Sequence, residues 1–171
     1  MIEITVYGRG GQGCVTCAEV LAIAGFKDGK KAQAFPAFGV ERTGAPIRAF
    51  CRFDDKPIRL HQHVYSPDYA IVLDDTLSGY FDDVKKGGTV LIATKSAPKP
   101  PEGVRVVALD AYEVARKAIG RPIVNVAVLG AFAKATGLVT KEALEKAILE
   151  RFPKELAEKN IVAMRNCYSM V

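Results

Sequence analysis

A chain of 171 residues, 49% hydrophobic and 25% charged, has the composition of an ordinary globular protein and the length for one domain with a real core. It holds no uninterrupted run of about 18 apolar residues, and its first residues read as a strand rather than a secretory leader; the expectation is a cytoplasmic protein with no membrane partner. The net charge of +5, from 24 Lys and Arg against 19 Asp and Glu, is spread along the chain among acids, so it argues against a nucleic-acid groove and suits anionic small molecules or an acidic partner.

An apolar run over residues 2–6 leads into Tyr7-Gly8-Arg9-Gly10-Gly11-Gln12-Gly13. Glycines at 8, 10 and 13 satisfy G-x-G-x-x-G, the spacing of a strand-to-helix turn. Such a turn lets backbone N–H groups at a helix N-terminus face an anion with no side chain in the way. Gly8, Arg9, Gly10, Gly11, Gln12 and Gly13 are therefore candidate ligand-binding residues. A nicotinamide or flavin fingerprint also wants an acidic residue about 20 positions on, after the second strand, to hold the ribose. The second strand here, residues 31–36, reads Lys-Ala-Gln-Ala-Phe-Pro. The spacing matches and the ribose anchor is missing.

The helix expected over residues 13–27 is apolar nearly all round, which predicts burial on more than one side. In a chain this small another subunit is a candidate for the second cover. Cys14 and Cys17 form a C-x-x-C within it, and the remaining cysteines are Cys51 and Cys167. An iron–sulfur cluster needs about four thiolates, and only two lie close in sequence. A helix N-terminus lowers thiol pKa, which leaves a thioredoxin-like role open, but two small buried residues packing as hydrophobes is the favoured reading.

Residues 35–46 carry two prolines, two glycines and two aromatics, the marks of a shaped loop. The adjacent Glu41 and Arg42 either bind a ligand or partner or pair internally to fix the loop. Residues 47–53 alternate as a half-buried strand, 54–57 turn, and 58–64 alternate again, which predicts an antiparallel hairpin. His61 and His63 share a strand face but lack the third ligand a zinc site wants. Residues 69–73 and 88–94 read as buried strands of a parallel sheet, with a short helix between them beginning near Thr76 and capped by Asp75. Asp74 stands where a parallel strand ends, a place where α/β sites gather, although capping a helix is its simpler role. Residues 104–109 return as a strand and Asp110 caps a helix to about 119. The small apolar run 126–135 ends at Gly137. Thr140 caps a helix with Leu144, Ala147, Ile148 and Phe152 inward, and Pro153 starts another with Ala157, Ile161, Met164 and Tyr168 on one stripe. The fold class is α/β: a single domain over 1–171, with a mainly parallel doubly wound sheet, a β-hairpin inserted after the second strand, and C-terminal helices.

The segments Gly8-Arg9-Gly10-Gly11-Gln12-Gly13, Gln33-Ala34-Phe35-Pro36, Phe38-Gly39-Val40-Glu41-Arg42-Thr43-Gly44-Ala45-Pro46, Pro67-Asp68-Tyr69 and Gly130-Ala131-Phe132-Ala133-Lys134-Ala135-Thr136-Gly137 together resemble the γ subunit, or γ domain, of 2-oxoacid:ferredoxin oxidoreductases. The resemblance implies a subunit of an enzyme that oxidatively decarboxylates a 2-oxoacid with coenzyme A, giving acyl-CoA, carbon dioxide and reduced ferredoxin. It implies α, β and δ partner subunits that hold the thiamine diphosphate and four-iron–four-sulfur clusters, ferredoxin reached through the complex, and no cofactor held by this chain alone. The γ chain is then expected to assist assembly and to position coenzyme A, a substrate, at the glycine turn. Loop 35–46 resembles the pyruvate or branched-chain type more than the 2-oxoglutarate type, with pyruvate preferred. The alternative from another class is a stand-alone nucleotide-binding protein.

Overall fold

A computed structural model describes residues 1–37 and 43–171. In chain order the strands are β1 (Ile2–Arg9), β2 (Lys31–Pro36), β3 (Pro46–Asp54), β4 (Tyr69–Val72), β5 (Thr89–Ala93) and β6 (Arg105–Leu109); the helices are α1 (Cys14–Lys27), α2 (Tyr80–Asp83), α3 (Ala111–Ile119), α4 (Ala127–Thr136), α5 (Lys141–Arg151) and α6 (Lys154–Ser169). The strands form one sheet in the order β2-β3-β1-β4-β5-β6. β1–β4, β4–β5 and β5–β6 pair in parallel, whereas β3 runs antiparallel to both β1 and β2.

Period-two alternation sorts the strand residues onto two faces. Ile4, Val6, Ile71, Leu73, Leu91, Ala93, Val107 and Leu109 face the large core with α1 and α3 to α6. Tyr7, Ala70, Val72, Val90 and Ile92 face a smaller core closed by Tyr80 and Val84 from the α2 region. On the same side as this second face, Arg52 draws residues 60–62 over β2 and β3, donating to Leu60 O at 3.4 Å and Gln62 O at 2.8 Å.

Three expectations are corrected. Residues 58–64 are irregular rather than the second strand of a hairpin with 47–53; β3 already has β1 on one edge and β2 on the other, so no edge remains for them. The antiparallel hairpin pairing is instead β2 with β3. The second cover of α1 comes from within the chain: α1 lies between the sheet and α5. The short helix begins at Tyr80 rather than near Thr76, with Gly79, not Asp75, at its N-cap. The Asp110 and Thr140 caps are as expected, accepting from Glu113 N and Ala143 N.

The chain leaves β1 toward β2 on one side and resumes at β4 on the other. β1 and β4 are neighbours, so their carboxyl ends frame a topological switch point, where open α/β sheets bind ligands.

Candidate functional site

The glycine turn occupies that switch point. Gln12 N donates to Arg9 O at 3.0 Å, closing a four-residue turn with Gly11 third at φ 95°, a conformation that L side chains rarely adopt. Gly13, at φ 80°, is the N-cap of α1 and supplies no side-chain cap. A Cβ on Gly8 would lie 2.5 Å from Cys14 Sγ, and one on Gly13 would collide with Asn125 Nδ2. Gly8 and Gly13 thus permit close packing, while Gly11 permits the turn. A Cβ on Gly11 would meet no atom within 4 Å.

Side chains brace the turn from two sides. Gln12 Oε1 accepts from Arg9 N at 2.7 Å and Gln12 Nε2 donates to Asp74 Oδ2 at 3.0 Å. The Arg9 guanidinium pairs through Nε with Asp74 Oδ2 at 3.2 Å, and donates to Gly44 O at 3.1 Å and Thr76 Oγ1 at 2.8 Å. Gly10 N donates to Ala45 O at 2.9 Å and Gly10 O accepts from Gly44 N at 3.0 Å, so the backbone of Gly10 is joined to residues 43–45. Asn125, nearly buried before α4, donates to Gly13 O at 3.3 Å.

These contacts set the local field. Desolvation disfavours charge on Asp74, but hydrogen bonds from Thr76 and Gln12 and the charge of Arg9 outweigh it and hold the carboxyl below its ordinary range. Arg9 therefore faces a carboxylate, and an anion at the turn would meet a partly neutralised cation. The helix N-terminus of α1 and the open face of Gly11 are the remaining features of the turn that favour an anion. Beside the turn a cleft of about 90 Å³ is lined by Gly11, Gln12, Tyr112, Pro122, Ile123 and Val124. Tyr112 donates its hydroxyl to Leu73 O at 2.7 Å, and burial, with Asp74 and Asp75 nearby, pushes its pKa up. Ile123 also borders a larger groove of about 380 Å³, which Arg121 and Lys159 line with Leu156 and Pro153.

Of the sequence-level candidates, Gly8, Arg9, Gly10, Gly11, Gln12 and Gly13 come together at this turn, and Glu41 and Arg42 lie outside the described residues. Asp74 turns out to brace the turn as well as shaping its own chain reversal, where it accepts from Thr76 N at 3.0 Å. A carboxylate just past a parallel strand at the switch point was the available signal; nothing local marked Asn125. The C-x-x-C thiols point inward. Cys14, Cys17, Cys51 and Cys167 are all buried, and burial, with Cys14 and Cys51 close by, drives the Cys17 thiol well above its ordinary pKa. Such donors do not fit an iron–sulfur cluster or a reactive dithiol. Among the described residues, no group of three or more His, Cys, Asp or Glu side chains is placed to hold a metal ion. His63 packs against Phe50 and Tyr65, with ring centroids at 5.2 and 6.4 Å. Among the described residues, no helix is long and apolar enough to cross a membrane.

Residues 3–170 match the family described as pyruvate ferredoxin/flavodoxin oxidoreductase. The chain is 50% identical over 174 residues to the pyruvate synthase subunit PorC of Methanothermobacter thermautotrophicus, covering 100% of this chain and 96% of the relative. It is 48% identical over 180 residues to the pyruvate/ketoisovalerate oxidoreductases common subunit gamma of Thermococcus kodakarensis, covering 99% and 96%. The crystal structure of the pyruvate oxidoreductase subunit PORC of Thermotoga maritima superposes with a TM-score of 0.84 at 35% identity, covering 98% of this chain and 95% of that one.

Proposed function

The chain belongs to the pyruvate ferredoxin/flavodoxin oxidoreductase family, as a γ subunit of a 2-oxoacid oxidoreductase complex, and from that premise we propose that its own share of the reaction is to receive coenzyme A at the glycine turn and to hold the partner subunits together. The reaction is the oxidative decarboxylation of a 2-oxoacid to acyl-CoA, carbon dioxide and reduced ferredoxin. Thiamine diphosphate and iron–sulfur clusters, supplying the carbanion and electron chemistry, belong in this reading to the α, β and δ subunits.

The observation that carries the reading is the open turn at the switch point. Gly11 leaves free space above the backbone, and α1 starts behind it with no side-chain cap hydrogen bond at its N-terminus. A phosphate of coenzyme A could therefore approach the backbone closely, gaining on the order of 0.3–1 kcal/mol per charge from the helix N-terminus and more where partly buried. Pyruvate is the preferred 2-oxoacid, since both of the curated relatives above carry it in their names. The name of the Thermococcus relative, a subunit common to pyruvate and ketoisovalerate oxidoreductases, supports a γ chain that leaves the choice of 2-oxoacid to its partners.

Gly11 gives a clean test, because Asn and Asp there carry the same bulk and nearly the same backbone strain. In the assembled oxidoreductase, Gly11→Asp should raise the KM for coenzyme A about tenfold over Gly11→Asn, the factor that ~1.4 kcal/mol of repulsion produces, with the KM for the 2-oxoacid unmoved. Equal coenzyme A KM values in the two variants would leave the turn as scaffold and the chain as a spacer subunit.

A further inference from the structure

We propose that Asp74 is a positioning residue for the ligand-bearing turn: its single carboxylate holds the glycine turn, the turn after β4 and, through Arg9, residues 43–45 in one geometry. The proposal rests on the coenzyme A reading of that turn. Its basis is a division of labour between two oxygens. Oδ1 accepts from Thr76 N at 3.0 Å and from the Thr76 hydroxyl, shaping the chain around Asp74 itself. Oδ2 faces the other way and accepts from Gln12 Nε2 at 3.0 Å and Arg9 Nε at 3.2 Å.

From Oδ2 the connection runs in direct hydrogen bonds to both walls of the turn. Gln12 returns its carbonyl to Arg9 N at 2.7 Å, and Arg9 reaches Gly44 O at 3.1 Å. Asp74 follows Leu73, whose N–H is bonded to Tyr7 O at 2.8 Å, so its carboxylate is tied to the sheet two residues past β4 and joins the end of β1 at Arg9 to the loop at Gln12. A supporting group on a rigid element is what keeps a binding loop within a fraction of an ångström of its working position. The Asp74 side chain is only 15% exposed, so water can replace little of what it provides.

Asn is the discriminating substitution. With its amide nitrogen in the place of Oδ2 it points a donor at two donors, Gln12 Nε2 and Arg9 Nε; flipped, it turns that donor on Thr76 instead. The volume is unchanged; the first orientation loses both contacts to the turn, and the second keeps them only as bonds to a neutral amide oxygen. Asp75 is the control, since its carboxylate accepts from Thr94 Oγ1 and takes no part in the turn.

The assembled oxidoreductase carrying Asp74→Asn should show a KM for coenzyme A raised about tenfold, within the range that displacing a positioned contact costs, with the KM for the 2-oxoacid and kcat within about twofold of wild type and Asp75→Asn indistinguishable from it. Adding Arg9→Met to Asp74→Asn should raise that KM by less than the two single effects combined, because both cut the Asp74–Arg9 link. Should Asp74→Asn fail to assemble, Gln12→Met severs the link from the other end and should raise the same KM. A coenzyme A KM unchanged in whichever of these variants assembles, while Gly11→Asp raises it over Gly11→Asn, overturns the positioning role and leaves the coenzyme A reading standing. If neither raises it, both fall. A parallel fall in kcat and rise in both KM values would mark a general structural defect and also overturn the proposal.

Discussion

Arg52 has no contact with water at all, and its guanidinium is satisfied by Glu3 at 2.9 Å and by the backbone of Gln62 at 2.8 Å, with the Phe35 ring 5.1 Å from its centre. Removing one partner of a buried ion pair strands the other, which costs about 3–5 kcal/mol. Arg52→Met should therefore lower the urea midpoint of the chain sharply, whereas Arg59→Met, at an exposed residue just before the segment that Arg52 holds, should barely move it. Asp74 gives a pH signature. Its folded pKa lies below the ordinary carboxylate value, so its stabilisation is complete above the unfolded value near ~4 and is lost as pH falls through the folded one. The stability gap between wild type and Asp74→Asn should be widest at neutral pH and close on acidification; a gap independent of pH would mean the charge is not what matters. Neither role could be read beforehand. In the alternating run 47–53 Arg52 looks like any outward-facing residue, and Asp74, with Thr76 beside it, looks like an ordinary cap, because Leu60, Gln62 and Glu3 for Arg52, and Gln12 and Arg9 for Asp74, lie between 8 and 65 residues away in sequence.

At the level of elements, local signals performed best where one residue type serves one backbone need. Asp110, Thr140 and Gly137 end or begin their helices as their chemistry requires. The small apolar run of α4 has a direct reason as well: a Cβ on Gly130 would collide with Met164 O, so the two helix backbones meet at that glycine. Gly130→Ala must push α6 away, an overpacking cost of about 1–3 kcal/mol, at roughly 2–4 °C of melting temperature per kcal/mol for a chain of this size. A melting curve within a degree of wild type would show that the helices can slide apart freely. Alternation misled only at residues 58–64. Their pattern of Ile58, Leu60 and Val64 is that of a strand, but a strand also needs a free neighbour, and pairing is settled by the whole sheet.

Across the molecule, the four thiols test the core as a body. Cys14 and Cys17 on α1, Cys51 on β3 and Cys167 on α6 are all buried, with burial pushing Cys167 up to about 12. None should react with an aromatic disulfide reagent at mildly alkaline pH until denaturant is added. Rapid labelling of Cys17 in the native chain would mean that the N-terminal turn of α1 opens. The parallel core and the glycine turn were legible because β4 and β5 are largely apolar runs, β1 carries Ile2, Ile4 and Val6, and the glycines stand in a fixed spacing; the lateral order of the strands was not, since it depends on which distant segments meet. That order has a consequence for how the chain is made. β1 is synthesised well before both strands that flank it: Ile2 pairs with Phe53 and Ile4 with Tyr69. Over that interval, at about 5–20 residues per second, β1 waits with one or both edges open. The nascent chain is thus most exposed to wrong pairing in those seconds, before the glycine turn has been given its second wall.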